Sequence, residues 1–270
     1  MSGNKSIIKD EIEKYLSRNE DWLSKISSAI NMPFEYVFEN VVPEVISNKM
    51  QSAFKDALGM INDAAQYAYS SDSIFEEFKI HNMEVHSLED VKTAPFEICD
   101  KIAQSYIQSN KLIAAIEGGG AGLGGLALMA ADIPILMTIN FRMISQIAGC
   151  FGYDAKLEIE KAFILNIFTL AAVDQEAKFT VWAQLNKISA AIIRKKTWDK
   201  LEEFVIVKLI QEVAERLGIN LTKRKLGQLI PIIGAGVGAG MNYSFTLDNG
   251  IAALMSYRQR RLTEETNSNT

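Results

Sequence analysis

Cysteine and histidine are almost missing from this chain, with 2 of each among 270 residues. Cys99 and Cys150 make neither a disulfide framework nor a metal-ligand pattern, and two buried free thiols in a reducing compartment are the expectation. His81 and His86 stand five apart with Glu84 between them, whereas a zinc site wants an i, i+4 pair or further ligands. The same scarcity argues against histidine-based acid–base catalysis and leaves a carboxylate enzyme open. No metal and no cofactor is expected, and the chain reads as non-enzymatic. Strand signals are scarce as well, with no clean run of alternating β-branched residues. The polar segment Met1–Asp10 lacks the apolar core of a secretory leader, which makes the cytoplasm the expected location. A basic excess is also missing. Net charge is -5, and residues 1–110 carry 10 basic and 18 acidic groups against 18 and 15 in residues 111–270. That balance excludes a general nucleic-acid binder, which needs a basic face. It leaves the second part free to approach an anionic surface.

What the chain does have is helical periodicity. Ile8, Ile12, Tyr15 and Leu16 fall on one stripe within Ser6–Ser17. Pro43 suits an early helical position, followed to about Tyr69 by apolar residues three and four apart. Between Ser70 and Thr93 the pattern loosens, with Ser87 as a breaker, and a connection with one short helix is predicted. A helix from Pro95 reaches about Ile116, and a polar stretch after Asp154 includes Asp174, Glu176 and Lys178. Further helices are predicted from about Asp199 to Leu217, stopped by Gly218, and from Asp248 to about Leu262. Arg258, Arg260 and Arg261 there complement the helix dipole. The fold class is all-α, a multi-helix bundle with two glycine-rich apolar helical segments packed in or near the core. Residues 1–90 read as an N-terminal helical region, 91–262 as the main helical domain and 263–270 as a disordered tail, with folding as one unit left open.

The two glycine-rich segments admit three readings. Residues 118–131 and 226–247 carry no charge. Gly120-x-Gly122-x-x-Gly125 fits a dinucleotide fingerprint in letter, but that motif needs a preceding strand and an acid about 20 residues on, and neither is present. Gly118/Gly122 and Gly234/Gly238 are each four apart and line one helix face, as in close transmembrane pairs. A span needs about 20 apolar residues; the first segment is too short and the second is diluted by glycine, Pro231, Gln228 and Asn242. Close helix packing through Gly118, Gly122, Gly234 and Gly238 is the simplest reading, and motion at a membrane stays open beside it.

Among polar residues, Asp132 reads as an N-cap two before Pro134. Arg142 is the single charge between Asp132 and Asp154. A buried charge needs a partner, so an ion pair with Asp132, Asp154 or Asp248 is expected, with a phosphate or lipid headgroup as the alternative. Two basic clusters, Arg194, Lys195 and Lys196 with Trp198, and Lys223, Arg224 and Lys225, adjoin an aromatic residue or an apolar segment. They are candidates for an anionic membrane surface.

Two blocks carry a family resemblance. One is the run from Ala114 through Gly118-Gly-Gly-Ala-Gly-Leu-Gly-Gly125, Asp132-Ile-Pro134, Arg142 and Gly152-Tyr153-Asp154. The other runs from Leu221 through Lys223-Arg-Lys225 and Gly234 to Asn242 and Asp248. Together they resemble the EcsC family over roughly residues 90–262. The namesake of that family is encoded beside a bacterial ABC transporter, and no reaction is established for it. The resemblance implies an accessory factor, and the basic cluster beside the apolar segment leads to the expectation that it acts at the inner membrane surface through Lys223–Leu247, with a transporter or envelope protein as partner. A membrane-inserting effector, and a lipid- or small-ligand-binding protein or enzyme centred on Arg142, Asp132, Tyr153, Asn242 and Asp248, remain the alternatives. The sequence does not set an oligomeric state.

Overall fold

Helical periodicity carries through to the backbone of the computed structural model, which describes residues 2–17, 69–121, 125–173, 175–193 and 234–268. These form helices α1 (Ser2–Ser17), α2 (Ser71–Ile80), α3 (Leu88–Thr93), α4 (Phe96–Ala121), α5 (Gly125–Cys150), α6 (Glu158–Ala172), α7 (Gln175–Ile193) and α8 (Gly234–Ser268). No strand occurs among the described residues, so the chain is an all-α bundle. The helices expected over most of residues 43–69 and over 199–217 lie outside the described residues.

In α1 the predicted stripe is the buried one, with Ile8, Ile12, Tyr15 and Leu16 joining the same apolar core as α4 to α8. The loose stretch 70–93 forms two helices rather than one. Ile74 and Phe78, four apart, are both buried on α2. Ser87 caps α3 instead of breaking the chain: its Oγ accepts from the Asp90 amide at 3.1 Å, and the Asp90 carboxylate accepts from the His86 amide at 2.9 Å. The first bond satisfies an amide that a helix start leaves open, and the His86 amide, followed by the Ser87 hydroxyl, holds the Asp90 carboxyl below its ordinary range.

The middle of the chain departs furthest from expectation. Helix α4 begins after Pro95 as predicted but continues past Ile116 through Gly118–Gly120 to Ala121. Each such glycine costs about 1 kcal/mol relative to alanine, which tertiary packing must offset; Gly118 is buried. Helix α5 starts at Gly125 and runs straight through Pro134. Asp132 is therefore an interior helical residue and not an N-cap, because the helix begins seven residues before it. The end of α5 is set by Gly152 at φ 83°, a left-handed position. The Gly152 amide donates to Gly149 and the Tyr153 amide to Ala148, both at 3.0 Å. A side chain at Gly152 would meet the Leu88 carbonyl oxygen at 2.7 Å.

Helix α6 is buried all round from Glu160 to Ala172 and forms the centre of the bundle. Phe168 on it stacks with Phe141 of α5 at 4.7 Å and meets Phe245 of α8 edge-on at 5.6 Å. Helix α8 begins fourteen residues before the predicted Asp248 and continues past Leu262. It runs antiparallel to α4, since Gly250 lies against Ile107, Tyr243 beside Lys111 and Arg258 on Asp100. Only a glycine fits at Gly250, where a Cβ would come within 2.8 Å of Ile107. Against α5 the register is fixed by buried polar groups, Asn140 Nδ2 donating to Thr246 Oγ1 at 3.3 Å.

Candidate functional site

Two regions hold chemistry that packing alone does not require. The first is a buried arginine cluster on the second half of α8. Arg258 donates to both carboxylate oxygens of Asp100 on α4, at 2.5 and 2.7 Å, and to Glu11 on α1. Arg260 donates to both oxygens of Glu160 at 3.0 and 2.8 Å, and its guanidinium lies 3.8 Å from the centre of the Tyr153 ring. Tyr257 donates to the same Glu160 at 2.8 Å, and Tyr153 donates to Glu264 at 3.1 Å. Arg261 donates to the carbonyls of Lys92, Phe151 and Ala94, each at a chain turn or helix end. Burial alone would lower the affinity of Arg260 for its proton, but the charge of Glu160 outweighs it and raises the pKa. Burial first, and then Glu160, raise the phenol of Tyr257 well above its ordinary value.

The cluster is closed: each guanidinium is filled by carboxylates or carbonyls of the chain itself. Its chemistry is fastening, because one helix is tied to α1, α4, α6 and the turns after α3 and α5. Sequence reasoning placed these three arginines at a helix terminus, where they would only meet a dipole. The signal that could have shown otherwise is the acid four residues after two of them, Arg260–Glu264 and Arg261–Glu265.

The second region is the opposite end of the same helices. The antiparallel register of α4 and α8 brings Ala121 opposite the start of α8 at Gly234, so the described parts of the two uncharged glycine-rich segments share one end of the bundle. On α4 the outward face changes character along its length. Lys101, Gln104, Ser105, Gln108 and Ser109 are exposed, and then Leu112, Ile113 and Ile116 are exposed in turn, Ile116 at 75%. Ile135 is exposed on the neighbouring α5. Glu117 is the single charge on α4 beyond Lys111, and Asp132 follows on α5.

The predicted residues do not converge. Arg142 is exposed on α5 and, among the described residues, takes part in no ion pair. The expected buried pair is absent because the helix turns this one charge to solvent while its neighbours face the core. Tyr153 is buried under Arg260 and Asn242 is buried on α8. Asp248 is half-buried beside Tyr15, whose phenol is pushed up first by burial and then by that carboxylate. The side chain of Asp132 and the surroundings of Gly122, Gly234 and Gly238 lie outside the described residues, as do Arg194, Lys195, Lys196, Trp198, Lys223, Arg224 and Lys225. His86 is exposed and His81 half-exposed, and no metal-binding group of His, Cys, Asp and Glu occurs among the described residues. Among the described residues one stretch, Ile133–Cys150, is long and apolar enough to cross a membrane, but 72% of it is buried inside the bundle. That burial makes it a core helix of this fold.

The model of the EcsC protein family matches residues 6–262, reaching well into the N-terminal region beyond the two motif blocks. An uncharacterized protein of Bacillus subtilis, YdbA, is 27% identical over 258 residues, which is 94% of this chain and 91% of that protein. Protein EcsC of the same organism is 28% identical over 165 residues, 61% of this chain and 64% of that protein. No solved structure matches.

Proposed function

The chain belongs to the EcsC protein family, and we propose that it acts as a helical docking protein whose apolar, glycine-rich end settles on the surface of a lipid bilayer. The observation that carries this reading is the outward face of α4, which turns from polar to apolar at Leu112 just where the glycine-rich segments gather. Exposed apolar patches of this kind mark interaction surfaces. From Lys111 to Ala121 helix α4 extends about 15 Å, roughly the hydrocarbon depth of one leaflet.

The balance of energies favours the surface over insertion. Leu112, Ile113, Ile116 and Ile135 would gain about 0.5 kcal/mol each in the bilayer. One acidic side chain such as Glu117 costs about 3 kcal/mol at its centre. Apolar contact is therefore enough to hold the end among headgroups and too little to draw the bundle through. A transporter or envelope partner, which the family resemblance implies, would be met at that surface.

Vesicle flotation of the purified chain, with dye release scored in the same tubes, tests the reading. Binding without leakage, weakened at least fivefold by Ile116→Glu, is the expected result. Leakage would instead support the inserting effector, and no binding to any lipid would overturn docking altogether.

A further inference from the structure

We propose that Arg142 and Lys111 form a cationic rim that takes the phosphates of anionic phospholipids and sets how far the apolar end settles. The inference rests on the docking reading above and names the lipid class it selects. Arg142 is exposed on α5, and Ile135, also exposed, lies seven residues nearer the start of that helix, two turns along the same face. Lys111 stands on α4 one residue before Leu112, at the point where the outward face becomes apolar. Its Nζ lies 5.0 Å from the centre of the Tyr243 ring on α8. Cations from two helices and a tyrosine from a third thus border the apolar end, the arrangement in which cationic and aromatic side chains meet headgroups.

Charge elsewhere narrows the choice. The chain as a whole is at -5, and the arginines of α8 are occupied by Glu160, Asp100 and Glu11. Glu117, exposed on α4 six residues beyond Lys111, repels an anionic surface. Attraction to anionic lipid at this end must therefore come from local cations. The Arg142 guanidinium is suited to it, because its planar fork can hold two oxygens of one phosphate.

The test compares vesicles of phosphatidylcholine alone with vesicles containing one-third phosphatidylglycerol, using Arg142→Gln, Lys111→Gln and the double variant. Both positions are exposed or half-exposed, and circular dichroism melts confirm that the variants fold. The expected result is preferential binding to the anionic vesicles, reduced about fivefold per charge removed, with binding to neutral vesicles unchanged. Unaltered anionic binding by the double variant would overturn the rim while leaving docking intact, provided Ile116→Glu still releases the protein. Equal binding of the unsubstituted chain to both vesicle types would also overturn the rim. Failure to float with either would remove docking and rim together.

Discussion

Arg260 shows what a single buried side chain does in this molecule. Its guanidinium is enclosed by Glu160, Glu264 and the ring of Tyr153, and removing one member of such a pair leaves an uncompensated charge in the core. Arg260→Ala should therefore destabilise the protein by about 3–5 kcal/mol, read as a lower urea midpoint with an unchanged slope. Replacing Glu160 by Gln in the same chain should restore part of that loss, because the buried charge is then gone as well; full additivity of the two would show that the pair is not coupled. Arg142 is the contrasting case. Its type and its apolar neighbours were legible in the sequence, but its exposure was not, since helical phase decides which side of α5 it leaves from. Arg142→Gln should change stability by no more than about 0.5 kcal/mol, as surface substitutions do.

At the scale of elements, helix interiors were legible and most helix ends were not, the end of α1 at Ser17 and the start of α4 after Pro95 excepted. The stripe of α1 follows directly from the spacing of Ile8, Ile12, Tyr15 and Leu16. Helices α4, α5 and α8 all run past their predicted limits through glycine or proline, residues whose local preference argues for a stop. Tertiary packing overrides that preference. The approach of α8 to α4 at Gly250 is the clearest instance, because Ile107 occupies the space a larger residue would need. Gly250→Val should push the two helices apart and cost about 1–3 kcal/mol, measured by thermal unfolding. A companion Ile107→Ala substitution should recover part of it by reopening the space, and no recovery would place the strain elsewhere.

At the scale of the whole molecule, burial of weak acids sets the response to pH. Burial raises the thiols of Cys99, to about 11, and Cys150, and the phenols of Tyr15, Tyr69, Tyr106, Tyr153 and Tyr257. The folded chain keeps these protons where the unfolded chain loses them, at ordinary values of 9.0 for the thiol and 10.0 for the phenol. Their contribution is complete below those values and is lost as pH rises above them. The melting temperature should fall progressively above pH 9, and tyrosinate absorbance should appear together with the loss of helix. Ionisation of all eight tyrosines near pH 10 in a fully helical chain would contradict this. The sequence by itself determined the all-α class, the apolar face of the first helix, the two uncharged glycine-rich segments and the family resemblance, because each depends on residue type and local spacing. Only the tertiary structure decided that α8 carries a buried arginine cluster, that Arg142 faces outward, and that segments more than 100 residues apart share one end of the bundle. Those outcomes depend on the register and orientation of whole helices, which long-range packing sets and local spacing does not record.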